Sequence, residues 1–216
     1  MTLISAIGIG GVPLLPFLTN HSETKDEYMA RPREFDEEQA LDAAVEVFRE
    51  HGFEGSSAAM LIQSMEIGRQ SLYATFGDKW NLYLAALRHY SFKETHAHLA
   101  TLREHPSGFA GISAFLQRIV QEAHRGCLGI GSICEFGDTE SEINQIRQSL
   151  GSVLREGIAD RVKDAQTNGE ISSELADYAV VDFLLASVTG IRIAARGGAD
   201  TAHLESLKTI ALRALR

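Results

Sequence analysis

The sequence predicts an all-α fold. Apolar residues recur at three- and four-residue spacing through most of its length, no stretch shows strand alternation of useful length, and Gly or Pro punctuates the helical runs. At 216 residues the chain can hold one large or two small domains around a proper core. No internal repeat is visible.

Taken in order, Met1 to Leu18 is apolar, glycine-rich and broken by Pro13 and Pro16. It lacks the basic start of a secretory signal, and its breakers argue against a membrane helix, so an irregular tail is expected over 1–30. Arg31-Pro32-Arg33 is a short basic arm that proline keeps extended, fit to follow a phosphate backbone or enter a minor groove. Asp36 should cap a first helix, with Gln39 placed for a capping box, Leu41, Ala44, Val45 and Phe48 as its core stripe, and His51-Gly52 as its end. Ser57 should cap a second helix with Leu61, Ile62 and Met65 on its apolar face. Ile67-Gly68 breaks the pattern. A third helix then has Leu72, Tyr73 and Phe76 inward and Arg69, Gln70, Ser71, Ala74 and Thr75 outward. That outer face has no aliphatic anchor but offers a guanidinium, an amide and hydroxyls, groups suited to base edges and phosphates in a major groove. Gly77-Asp78 closes this helix and caps the next at Lys79, which sets an ammonium beside helix-start amides.

From Lys79 the pattern Leu82, Tyr83, Ala86, Leu87, Tyr90 continues to about Leu102 as one long helix, and Pro106-Ser107-Gly108 follows as the boundary between functional regions. Phe109, Ile112, Phe115, Leu116, Ile119 and Val120 form the next stripe. Arg125 to Gly131 is glycine-rich but has neither the Gly-Lys-Ser/Thr ending nor the preceding strand of a phosphate loop, and reads as a turn into a short buried helix. Asp138 to about Gln166 is a helix with Ile143, Ile146, Leu150, Val153, Leu154, Ile158 and Val162 inward, stopped by Asn168-Gly169. Glu174 to Arg196 is apolar nearly all round, so it must be covered on every side. With Ser187, Gly190, Ala194 and Ala195 allowing close approach, the cover expected is the same helix of a second subunit. Gly197-Gly198 turns into a last amphipathic helix carrying Leu204, Leu207, Ile210, Leu212 and Leu215.

The net charge of -9 opposes non-specific sticking to nucleic acid, and local basicity is confined to Arg31, Arg33, Arg69 and Lys79, which implies modest, salt-sensitive DNA affinity. Two cysteines, Cys127 and Cys134, make no disulfide framework. On one helix they would stand roughly 10 Å apart along the axis, too far to bridge, which fits a reducing cytoplasm. Cys127, near His124 and Arg125, is a candidate thiol sensor, though a buried cysteine is more often an inert small hydrophobe. His89 and His96, and His98 and His105, share helix faces but stand two turns apart, too far to chelate one ion, so no metal or other cofactor is expected. No paired acid and base and no nucleophile with an identifiable partner points to an enzyme.

Gly52-Phe53-Glu54-Gly55-Ser56-Ser57, followed by Ser71-Leu72-Tyr73-Ala74-Thr75-Phe76-Gly77-Asp78-Lys79, resembles the TetR family of bacterial transcriptional regulators. The specific part is the ending Leu-Tyr-x-x-Phe-x-x-Lys in register with Gly52-Phe53; the likeness is sharp over about Arg31 to Leu87 and architectural beyond. It implies a DNA-binding helix-turn-helix domain over 31–78 and a helical effector-binding and dimerisation domain over 79–216. By position, Arg69, Gln70 and Ser71 would approach bases or phosphates, and Tyr73 and Lys79 would contact phosphates. Ser57, Gly68 and Thr75, together with Arg31 and Arg33, complete the expected DNA-binding set. Met29-Ala30-Arg31-Pro32-Arg33 looks like the usual start of a family member, and Gly126-Cys127-Leu128 like a segment of one branch. Glu66 departs from the pattern, standing where relatives usually have Gly in the turn. Relatives enclose a small molecule after the linker; Phe92, His96, Phe115, Ile119, Cys127 and Phe183 are the candidates here. The resemblance implies a homodimeric, cytoplasmic, ligand-responsive repressor on a palindromic operator. The acidic balance and Glu66 leave a second reading open, a helical small-molecule-binding protein whose reading head is silent toward DNA.

Overall fold

The computed structural model describes residues 35–216; the tail over 1–30 and the arm residues Arg31 and Arg33 lie outside the described residues. Among them are nine α-helices and no strand: α1 Glu37–Gly55, α2 Ala58–Met65, α3 Arg69–Phe76, α4 Lys79–Arg103, α5 Gly108–Glu122, α6 Leu128–Phe136, α7 Ser141–Thr167, α8 Asp177–Arg196 and α9 Thr201–Arg213. A 3-10 turn, Ala123–Arg125, links α5 to α6.

The caps expected at Asp36, Ser57 and Asp78 form, although among the described residues no Gln39 side-chain bond completes a capping box, and Ser107, read from the sequence only as part of a boundary, caps as well. Asp36 accepts from the amides of Glu38 and Gln39, Ser57 from Met60, Asp78 from Asn81 and Ser107 from Ala110. Each satisfies a first-turn amide that would otherwise lack an acceptor.

Two apolar clusters result. One joins α1, α2, α3 and the first half of α4 with Leu128, Ile143 and Ile146 of α6 and α7. The other joins Leu99 and Leu102, near the end of α4, with α5 and the inner faces of α7, α8 and α9. Helix α4 therefore belongs to both. Its far half is pressed closely against its neighbours: a Cβ on Gly111 would lie 2.4 Å from the Leu102 carbonyl oxygen.

Several expected boundaries and faces are corrected. Helix α1 does not end at Gly52; the chain kinks there at φ 70° and makes one more helical turn to Gly55. Helix α7 begins at Ser141, because Thr139 and Asn144 hold the preceding carbonyls of Phe136 and Asp138 in a turn. Helix α8 begins at Asp177, because the Gln166 side chain donates to the carbonyls of Ser172 and Leu175 and ties that segment into a loop. Helix α6 is not buried: Leu128 and Ser132 face inward while Ile133 is 50% exposed. Val153 on α7 and Phe183 and Ile193 on α8 also stand at the surface.

By length and apolarity alone α8 could cross a bilayer. Its inner side packs on α7, α9 and the 3-10 turn through Val180, Val181, Leu184, Ile191 and Ala195, while Phe183 and Ile193 leave its outer side exposed.

Candidate nucleic-acid interface and internal cavity

Helices α2 and α3 form the helix-turn-helix. Leu61, Met65, Leu72 and Phe76 are buried against Ala40, Ala44 and Phe48 of α1, and Ile67 plugs the turn between them. The turn reverses at Glu66, which sits in the left-handed region at φ 54°, ψ 34°. It is the sole non-glycine residue with positive φ among the described residues. Gly68 follows with extended backbone and no side-chain cap, so the first amides of α3 remain available to an anion.

Docking of α3 through Leu72 and Phe76 turns Arg69, Gln70, Ala74 and Thr75 outward, with Ser71 half-buried. Arg69 makes no ion pair among the described residues. Tyr73 is corrected: expected inward, it is 42% exposed, because an eight-residue helix seated on two positions one turn apart rotates the next residue onto its flank. Ser57 spends its hydroxyl acceptor on the α2 cap. The Lys79 ammonium lies 4.4 Å from the centroid of the Phe53 ring. Phe53 in turn packs with Trp80, Tyr83 and Phe136 as an aromatic cluster beneath the reading head.

The head is fastened from below. Glu135 on α6 accepts from the amides of Phe53 and Glu54 at 2.9 and 2.8 Å, capping the turn beyond the Gly52 kink. Asp42 on α1 accepts from Lys93 at 2.8 Å and pairs with His89 at 2.8 Å, joining α1 to α4. Burial pushes the Asp42 carboxyl upward, but these hydrogen bonds outweigh it and hold the group below its ordinary value.

A cavity of about 270 Å³ opens among α4, α6, α7 and α8. Ile130, Ile133, Ile146, Leu150, Leu185 and Val188 supply most of its wall, and Tyr90, Glu94, Thr95, His98, Cys127, Arg147, Thr189 and Arg192 its polar groups. Of the six residues expected at a ligand site, Cys127 lines it. Phe115 and Ile119 are fully buried in the core, Phe115 with its ring 5.2 Å from that of His98. Phe92 and His96 face outward, their rings tilted against each other with centroids 4.0 Å apart, and Phe183 is on the outer side of α8.

The polar groups interlock. Arg118 donates to Nδ1 of His98 at 2.9 Å, which leaves the imidazole proton on Nε2. Burial first, and then the charges of Arg118 and Arg192, depress the His98 pKa to about 3 and keep it neutral. Arg192 is buried, with its guanidinium 3.7 Å from Glu94 and donating to the Gly126 carbonyl at 3.4 Å. Arg49 of α1 donates to that same carbonyl at 3.0 Å. Cys127 caps α6, its sulfur accepting from the Ile130 amide at 3.5 Å, and both cysteines are free thiols. Sequence reasoning missed Arg192, Arg147, Glu94 and Tyr90. A single arginine inside the apolar run of α8, and Glu94 and His98 four residues apart on α4, were the available signals. No group of three or more potential ligands is arranged for a metal ion among the described residues.

The helix-turn-helix geometry agrees with comparison to known proteins. The model of the family described as bacterial regulatory proteins, tetR family, matches residues 40–86. The HTH-type transcriptional repressor ComR of Escherichia coli K12 is 27% identical over 204 residues, covering 92% of this chain and 96% of ComR. The HTH-type regulator YezE of Bacillus subtilis 168 is 29% identical over 193 residues, covering 87% of this chain and all of YezE. A solved structure of a cysteine mutant of the TetR family transcriptional regulator CifR, complexed with a 26-base-pair operator duplex, superimposes with a TM-score of 0.71 at 28% identity, over 86% of this chain and all of that one. The segment 40–86 thus matches the DNA-binding part of the tetR family, and the chain as a whole is similar in sequence and fold to TetR-family and other HTH-type transcriptional regulators.

Proposed function

We propose that the protein is a ligand-responsive transcriptional repressor that binds a palindromic operator as a homodimer in the cytoplasm, with residues 31–78 reading DNA and 79–216 binding effector and a second subunit. The observation that carries the DNA-binding part is α3: an outward face of Arg69, Gln70, Ser71 and Thr75 on an uncapped helix held by Leu72 and Phe76. The operator duplex bound by CifR supports it. Dimerisation is supported by an exposed stripe on α8, where Phe183, Ala186, Gly190 and Ile193 recur at helical spacing, and by Ile210 exposed on α9.

The route from cavity to head runs through two contacts. Arg192 at the cavity and Arg49 on α1 share the Gly126 carbonyl, and α6 carries Cys127 at one end and the Glu135 clamp near the other. A ligand that moves α6 or Arg192 therefore loads α1, while α4 tilts as a unit through both cores. The ligand drives release by binding one dimer shape better than the other.

The test is a pair of substitutions read against salt. Arg69→Ala weakens operator binding by about 1–3 kcal/mol and relaxes the preference at the base it reads. Lys79→Ala weakens all duplexes alike and lowers the salt slope by about 1. Fluorescence anisotropy at several salt concentrations measures both; unchanged binding in both variants rejects the assignment of these residues, and no duplex binding by the unmutated protein favours a DNA-silent ligand-binding protein.

A further inference from the structure

The cavity wall is apolar, yet its charged groups do not balance. Two arginines, Arg147 and Arg192, line it against the single acidic residue Glu94, and the Arg147 guanidinium is already held by Gly137 and Asn144. That carboxylate is already divided among three neighbours: Arg118 at 3.4 Å, His98 at 3.6 Å and Arg192 at 3.7 Å. His98, fixed as the neutral tautomer by Arg118, supplies no further charge.

Arg192 is buried and held only by long contacts. Its side chain is 4% exposed, its contact with Glu94 is too long for a hydrogen bond, and its bond to Gly126 is a long one. A guanidinium has five N–H donors, and burying them without acceptors is costly. The Arg147 Nη1 is buried without a partner, while its Nη2 is held by Gly137 and Asn144. The bond to Gly126 sets Arg192 against the start of α6, where Leu128 and Gly129 precede the first backbone bond, from Gly131 to Cys127.

We propose that the cavity takes an amphipathic monocarboxylate, its carboxylate paired with Arg192 at the start of α6 and its apolar body laid along Ile130, Ile133, Leu150 and Val188. A carboxylate is the acceptor that a planar guanidinium fork receives best, and one negative charge cancels the excess on the wall. The cavity, about 270 Å³, suits a medium-chain or aryl-substituted acid. This inference rests on the effector reading of the cavity above and adds the ligand's chemical class.

The experiment titrates the full-length protein by calorimetry with three probes of one shape, octanoate, octanamide and octylamine, and with 4-phenylbutyrate as an aryl acid. Octanoate binds saturably, octanamide at least tenfold more weakly, and octylamine not at all. Arg192→Gln brings octanoate down to the amide's affinity while leaving the amide within twofold, an outcome that a merely collapsed cavity does not give. Amide or amine binding as tight as the acid, or no binding by octanoate and 4-phenylbutyrate alike, overturns the inference. Operator release is read separately by anisotropy: octanoate that binds but leaves the operator complex intact upholds the ligand class and overturns the effector role.

Discussion

Glu66 is where residue chemistry and backbone geometry conflict most plainly. At φ 54° its Cβ is crowded in a conformation that glycine adopts freely, and its carboxylate is exposed in the turn entering α3. Glu66→Gly should raise the unfolding free energy by about 0.5–1 kcal/mol, read from urea midpoints, and tighten operator binding by removing a charge that repels phosphate. Equal midpoints together with equal operator affinity would contradict this. His98 gives a pH test. Its folded pKa, about 3, lies below the unfolded value of about 6.5, so the unfolded chain binds the proton first. Its contribution is complete above pH 6.5 and is lost as pH falls from there toward 3. Between pH 6.5 and 5 the loss is about 2 kcal/mol, and His98→Asn, which keeps an acceptor for Arg118, should remove most of that slope in denaturant titrations. At this scale the sequence shows Arg69 and Gln70, because an amphipathic helix declares its polar face. Tyr73 and Arg192 are not legible, since which way each points is decided by the surfaces it meets.

Among the elements, α6 departs furthest from its sequence pattern. Its run Leu-Gly-Ile-Gly-Ser-Ile reads as core, but it lies over the cavity with Ile133 outward and Glu135 reaching α1. A glycine-rich segment carries little periodicity, and an interaction eighty residues distant leaves no local trace. Glu135→Ala should free the amides of Phe53 and Glu54 to water, with faster hydrogen exchange there and a loss of about 0.5–1.5 kcal/mol, because the clamp lies at the surface. Unchanged exchange at those two amides would show that α6 does not hold α1. The capped helices α1, α2, α4 and α5 are legible to within a residue or two at their starts, because Asp36, Ser57, Asp78 and Ser107 satisfy amides locally. Starts set by distant side chains, as Gln166 sets that of α8, are not.

At the scale of the whole molecule, α4 connects what reads DNA to what surrounds the cavity. Leu82, Tyr83, Ala86 and Leu87 belong to the head's core and Leu99 and Leu102 to the body's, so neither half of α4 can shift without the other. The head is completed by Leu128 and Ile143 from beyond residue 79, which ties reading head and body more tightly than sequence likeness suggests. The charge of -9 means that operator affinity depends on a small basic surface working against an acidic molecule. Selection of duplexes from a random pool, followed by anisotropy titration of the winning sequence at two salt concentrations, interrogates this arrangement directly. A homodimeric repressor enriches a palindrome whose half-sites are about one helical turn apart and whose affinity falls steeply with salt. A folded dimer that enriches no sequence would contradict the assignment of α3 as a reading helix.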